Sequence, residues 1–330
     1  MSNPISLNID HILAIVGPTA SGKSNFSLSL CEEAYKKNLT IELISMDSAL
    51  VYRGMSIGTA KPSNFHLASI KHHGVDICEP WESYSAAKFA SDSMRWYQEA
   101  RDRGHIPVII GGTMLYWRAL TQGLTNLPPA DPIIRKKIEL DALQHGWDSV
   151  YEQLCVVDPI SAQRLPPGDT QRISRALEVF LSTGKSFSSW IQEDPYGKTR
   201  NDTSINSQLF SFEPEDRKWL HTRIENRFHE MLKLNFLNEV RTLMDNPLIN
   251  QHLPSMRAVG YRQAWEYLVG EITEDEFINK SIAATRQLAK RQLTWLRAMP
   301  TRRVVNPQNS IQVKHAVSDC LNQLIEWSSK

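Results

Sequence analysis

Residues 12–24, ILAIVGPTASGKS, join an apolar run to a glycine-bounded loop that ends in Lys-Ser. The loop Gly17-Pro18-Thr19-Ala20-Ser21-Gly22-Lys23-Ser24 fits G-x-x-x-x-G-K-[ST]. It follows a strand-like segment and opens a helix-like one, the context the pattern requires. Gly17 and Gly22 allow backbone angles that turn several amide N–H groups into one concavity. A helix beginning near Gly22 adds the positive end of its dipole. Lys23 supplies a point charge, and the Ser24 hydroxyl suits a Mg²⁺ ion bridging two phosphate groups. The pattern predicts a di- or triphosphate site; what moves during the reaction depends on the residues around it.

Asp47 and Ser48, in ELISMDSALVYRGMSIGTAKP, fall at the carboxyl end of a second strand-like run, the edge where open α/β sheets bind ligands. An aspartate there could hold Mg²⁺, orient an acceptor hydroxyl, or cap a helix. Thr113, in GGTMLY, follows two glycines at the same edge, where a helix cap is one account of it. Arg223 and Arg227 are spaced i, i+4 on an amphipathic pattern, and such a pair is also what a solvated helix face carries.

These residues need a frame. HILAIVG, TIELISMDS and IPVIIGGT read as buried strands, separated by the helical stretches SNFSLSLCEEAYKKN and YSAAKFASDSMRWYQEARDRG. The alternation predicts right-handed βαβ units, hence an α/β fold with a P-loop NTPase-like parallel sheet core flanked by helices. Two proline-rich polar segments, TNLPPADP and QEDPYGKTRNDTSINS, bracket helical patterns, with Pro132 at a first helical position and Asp169 or Thr170 as a cap. The expected organisation is a first core part over residues 1–121, a helical insert over 122–200, and a core continuation over 201–330. In the last part SQLFSFEP reads as a strand. Leu220, Ile224, Phe228, Met231 and Leu232 mark one buried helix face, a long helix spans about Thr273 to Ala298, and RRVVN supplies a last strand.

The net charge of +1 gives no global attraction to nucleic acid, so basic surface must be local. Three stretches supply it: Gln171-Arg172-Ile173-Ser174-Arg175, Arg257-Ala258-Val259-Gly260-Tyr261-Arg262, and Lys290-Arg291-Gln292-Leu293-Thr294-Trp295-Leu296-Arg297. At 3.6 residues per turn, Arg286, Lys290 and Arg297 fall within about 40° of one another, with Ile282, Ala289, Leu293 and Leu296 to one side. The four cysteines show no C-x-x-C spacing, which suits a reducing compartment. No signal peptide and no apolar run near the ~20 residues of a membrane span is present, so a soluble cytoplasmic protein is expected. His72 and His73 are adjacent, point apart, and read as structural rather than as a metal pair.

The loop together with DSALVYRGMSIGTAKP, GGTMLYWRAL, QRISRALEVF, RAVGYRQAWEYL and ATRQLAKRQLTWLR resembles the bacterial tRNA dimethylallyltransferases, in order and over residues 12 to about 298. The resemblance implies transfer of a dimethylallyl group from dimethylallyl diphosphate to the exocyclic N6 amine of adenosine 37, beside the tRNA anticodon. It implies Asp47 as general base, with Thr113, Lys23 and Arg227 as further catalytic residues, Arg227 on the diphosphate. It implies tRNA contacts from Asp47, Ser48, Ala49, Leu50, Thr113, Arg135 and the three basic stretches, Mg²⁺ as cofactor, and a monomer. No C-x₂-C…H-x₃-H finger of the eukaryotic relatives is present. The alternatives are a small-molecule P-loop kinase, a prenyltransferase acting on free adenine nucleotides, and a non-catalytic RNA-binding protein with a nucleotide-sensing loop.

Overall fold

The computed structural model describes residues 11–194 and 206–328. In chain order the elements are β1 (His11–Val16), α1 (Lys23–Tyr35), β2 (Ile41–Met46), α2 (Asn64–Ser69), β3 (His72–His73), α3 (Ala86–Asp102), β4 (Ile106–Gly111), α4 (Met114–Thr121), α5 (Pro132–Val157), α6 (Pro159–Arg164), α7 (Thr170–Thr183) and α8 (Phe187–Glu193). They continue with β5 (Asn206–Phe212), α9 (Arg217–Lys233), α10 (Phe236–Met244), α11 (Tyr261–Leu268), α12 (Glu274–Arg297), β6 (Arg303–Val305) and α13 (Ser310–Ser328). The chain divides into two compact units: residues up to Thr121 with those from Ser204 onward, and the stretch from Gln122 to Thr203. Much of QEDPYGKTRNDTSINS lies outside the described residues.

In the larger unit six parallel strands form one sheet in the order β3-β2-β4-β1-β5-β6. Parallel strands are covered on both faces, so they carry continuous apolar runs; β1 and β2 are almost wholly buried. Leu13, Ile15, Leu43, Val108, Phe210 and Phe212 pack with Phe26 and Leu30 of α1 and Cys320 and Leu324 of α13. A second cluster joins Val51, Tyr52 and Met55 to Phe236 and Val240 of α10, Tyr261 of α11 and Phe277 of α12. A smaller one sets Leu220 and Ile224 of α9 against Ala289 and Leu293 of α12, with loop residue Ala20 resting on it. That last contact fixes where two helices meet the phosphate loop.

The smaller unit has its own core, from Ile138, Val150 and Leu154 of α5, Ala162 of α6, and Ile173 and Leu177 of α7. Pro132 opens α5 behind the Asp131 cap, and the helix breaks at Gly146, whose φ of 84° lies in the left-handed region. Asp169 caps α7 by accepting from Arg172 N.

His72 and His73 form the short edge strand β3, and their rings do part: His72 Nδ1 meets Ile70 O, while His73 Nε2 meets Glu42. Glu42, 1% exposed, also pairs with Arg103 at 2.8 Å and with His105 at 2.7 Å. Burial alone would raise its pKa, but Arg103 first, then His73 and His105, bring it down to about 2. Among the described residues no helix is long and apolar enough to cross a membrane, and no cluster of three or more His, Cys, Asp or Glu could hold a metal ion.

Candidate active site

The loop 17–22 runs from the end of β1 into α1. Gly22 adopts φ 97°, a conformation costly for any residue with a Cβ. Gly17 is needed for space, because a Cβ there would lie 2.9 Å from Phe212 O. Lys23 folds back over the loop, its Nζ donating to Gly17 O at 2.8 Å and Pro18 O at 2.6 Å. Its pKa is brought down to about 7, chiefly by burial, with Asp47 opposing and Arg227 adding to the fall. The Ser21 hydroxyl is fully buried within the loop and has no hydrogen-bond partner among the described residues. The Ser24 side chain is exposed at the first turn of α1.

Asp47 follows β2 directly. Its Oδ1 accepts from Ala49 N at 2.8 Å and Leu50 N at 3.3 Å, which sets the turn and leaves Oδ2 unengaged among the described residues. The Thr113 Oγ1 accepts from Ser48 N at 3.2 Å and so ties the β4 edge to the Asp47 turn. Both segments converge on Met46 O, which accepts from Gly112 N and Thr113 N.

Arg227 reaches from α9, with Nη1 3.4 Å from Thr19 Oγ1 and Nη2 3.3 Å from Thr59 O. Burial, with Asp47 opposing and Arg223 assisting, lowers its pKa. Arg223 was legible only as its i, i+4 partner, yet its Nε donates to Ala20 O at 2.8 Å and its guanidinium stacks over Trp219. The two arginines are therefore not a plain solvated pair. Lys23, Asp47 and Arg227 lie within electrostatic reach of one another at the carboxyl edge of the sheet.

A residue with no local sequence signal completes the frame. Glu239 of α10 accepts from Ser56 N at 2.9 Å, Ile57 N at 2.7 Å and Gly58 N at 3.1 Å, and from Tyr261 Oη at 2.5 Å. It fixes the loop whose next carbonyl, Thr59 O, receives Arg227.

The basic stretches divide by exposure. Lys290, Arg291 and Thr294 are exposed beside Trp295, itself 40% exposed, and these four line a shallow surface depression with Gln287. Arg257 and Arg262 are also exposed, the latter paired with Glu266, and Ala258 and Val259 are partly buried. Four side chains are corrected as RNA contacts because they belong to the core: Tyr261, Leu296 and Ile173 at 0% exposure and Leu293 at 7%. Gly260 is buried as well and opens α11 at φ 91°. Arg286 is held by Glu225 at 2.8 Å, and Arg297 lies 3.8 Å from Glu213, so the expected stripe narrows to Lys290, with Arg291 exposed beside it.

In the smaller unit Gln171 and Arg172 are exposed and Ser174 half-buried. Arg135 and Arg175 instead clamp the buried Glu178, at 3.1 and 2.8 Å, and Arg175 also donates to Pro128 O. Their first task is to neutralise a buried carboxylate, which would be costly unpaired.

The family model for IPP transferases matches residues 50–299. A tRNA dimethylallyltransferase of Polynucleobacter asymbioticus is 50% identical over 316 residues, covering 95% of each chain. The tRNA isopentenylpyrophosphate transferase of Bacillus halodurans superposes with a TM-score of 0.66 at 30% identity, over 97% of this chain and 98% of its own. A eukaryotic dimethylallyltransferase acting on tRNA shares the fold, with a TM-score of 0.70 at 24% identity over 90% of this chain and 74% of its own.

Proposed function

The chain belongs to the tRNA dimethylallyltransferase family, and from that premise we propose that it transfers a dimethylallyl group from dimethylallyl diphosphate to the N6 amine of adenosine 37 in the anticodon loop of tRNA, releasing diphosphate. The observation that carries the reading is the meeting of Lys23, Arg227 and Asp47 at one sheet edge, with Lys23 folded onto the phosphate loop, Arg227 beside Thr19 of that loop, and the carboxylate within electrostatic reach of both.

The allylic C–O bond breaks, both electrons leave with the diphosphate, and the amine nitrogen forms the new C–N bond and gives up a proton. Charge grows on the departing oxygen, so fixed donors lower the barrier. Loop amides, Lys23 and Arg227 would supply these donors, a reading supported by the Arg227 contact with Thr19 of the loop, and the Ser21 hydroxyl, without a partner among the described residues, suits the same anion. An adenine amine is a weak nucleophile. A base taking its proton contributes ~10²–10⁴-fold, and Asp47 Oδ2 is the oxygen that its turn leaves for that role. The exposed Ser24 hydroxyl fits a Mg²⁺ held against the diphosphate, and the ion would supply further charge neutralisation there.

Acceptor recognition falls to the exposed basic surfaces, Lys290, Arg291 and Trp295 on α12, Arg257 and Arg262 around α11, and Gln171 and Arg172 on α7. Cations flanking an accessible indole suit unstacked loop bases. The target adenine must leave its stack to reach Asp47. The enzyme is taken to work as a cytoplasmic monomer.

A small-molecule kinase would have its arginines in a short lid, whereas Arg223 and Arg227 stand on a long helix with core residues on its other face. The discriminating experiment offers carbon-labelled dimethylallyl diphosphate and Mg²⁺ to unmodified tRNA, to AMP and to ATP in parallel. Label is expected in tRNA nucleosides alone; label in the free nucleotides at comparable rate would overturn the acceptor assignment.

A further inference from the structure

Gln292 stands within the basic stretch of α12, yet its side chain turns inward to the phosphate loop. Its Oε1 accepts from Thr19 N at 2.8 Å, and its Nε2 donates to Gly112 O at 3.0 Å. An N–H on one side and a carbonyl on the other fix the orientation of the amide, since only one flip satisfies both. The site is built around it. A Cβ on Gly112 would come within 2.4 Å of Gln292 Nε2 and 2.9 Å of Gly17 O, so the second glycine of the Gly111-Gly112 pair makes room for this bridge. One residue on, Thr113 holds the Ser48 amide beside Asp47. The contacts therefore run from the loop that takes the leaving group, through Gln292, to the turn that carries the base. Lys290, Arg291 and Trp295, on the same helical turns, face outward.

We infer that Gln292 is a positioning residue that locks the phosphate loop to the acceptor-side strand end, and not an RNA contact. The inference rests on the functional reading above for its purpose, though not for its test. A shorter or apolar side chain leaves Thr19 N and Gly112 O without their mutual bridge, so the loop samples more conformations and binds a diphosphate less well. Packing is separable from hydrogen bonding: Gln292→Met keeps the volume and removes the amide, while Gln292→Glu keeps the acceptor for Thr19 N and removes the donor to Gly112 O.

The test uses the full chain, hydrogen exchange over residues 12–24, inorganic pyrophosphate with Mg²⁺ as the probe, and unmodified tRNA as a control ligand. In Gln292→Met the loop amides should exchange about tenfold faster and pyrophosphate Kd should rise about tenfold, the scale of one to two lost hydrogen bonds, while tRNA Kd stays within about twofold. Gln292→Glu should show a smaller rise in exchange but weaker pyrophosphate binding still, because it adds a negative charge. Unchanged exchange and unchanged pyrophosphate affinity in both variants would overturn the inference. So would a loss of tRNA affinity without any change in the loop. None of these readouts needs turnover, so wild-type protein that fails to prenylate tRNA would sink the functional reading and leave this one to stand or fall separately.

Discussion

Replacing Asp47 by Asn separates its two tasks. The aspartate Oδ1 sets the turn through Ala49 N and Leu50 N, and the asparagine carbonyl can keep both bonds, so the fold should hold. Asp47→Ala would also lose that turn, at about 0.5–2 kcal/mol by analogy with capping residues. What Asn removes is the basic oxygen, and the chemical step should slow by ~10²–10⁴-fold. The same change deletes the negative charge that opposes Lys23 and Arg227, so the donor diphosphate should bind as tightly as before or more tightly. The signature is a collapse of kcat with KM for dimethylallyl diphosphate flat or falling and tRNA Kd within about twofold. Single-turnover transfer to saturating tRNA, with tRNA binding measured separately by anisotropy, reads all three. A single-turnover rate within about threefold of wild type would remove Asp47 as the base, and a matched loss of tRNA affinity would make it a binding residue instead.

Arg227→Ala should raise KM for dimethylallyl diphosphate and lower kcat together, by about 10–10³-fold overall for a lost transition-state donor; unchanged kinetics would return Arg227 to a structural role. Lys290→Ala with Arg291→Ala should weaken tRNA binding and reduce the slope of log K against log salt by about one to two, and a flat salt response would clear α12 of phosphate contacts. Arg172→Ala should weaken tRNA binding with the melting temperature kept, whereas Arg175→Ala should destabilise the smaller unit because it strips a partner from buried Glu178; calorimetry and binding assays together separate the two. Glu42 has its folded pKa lowered to about 2, so its contribution is present above about pH 4.5 and is lost as pH falls toward 2. Glu42→Gln should cost about 3 kcal/mol at pH 7 and flatten that acid window, and urea midpoints measured from pH 7 to 2 that run parallel in the two proteins would refute this.

The sheet and the phosphate loop were legible because their signals are local. Buried parallel strands must be apolar throughout, and Gly17 and Gly22 answer steric and dihedral demands set by near neighbours. Asp47 and Thr113 were legible as strand-end residues, and only their hydrogen-bond partners were not. The illegible part is long-range pairing. Glu178 gathers Arg135 from 43 residues away, and Glu239 gathers a loop about 180 residues away, and no spacing announces either. Within the basic stretches, composition gave the charge but not the facing. Tyr261 stood in a stretch expected to contact tRNA and is core, while Gln292 stood in another and bridges the phosphate loop to Gly112 O. Arg223 carried a usable signal, its one-turn spacing from Arg227, but that spacing fits a solvated face equally well.

The most direct test of the account places ¹⁸O at the bridging carbon–oxygen position of dimethylallyl diphosphate and follows it after transfer to unmodified tRNA with Mg²⁺. Rupture on the carbon side leaves every heavy oxygen in the released diphosphate, with an unlabelled prenyl group on the adenosine nitrogen. Heavy oxygen carried into the tRNA, or ³²P moved to an acceptor from γ-labelled ATP while the prenyl donor goes unused, would contradict it.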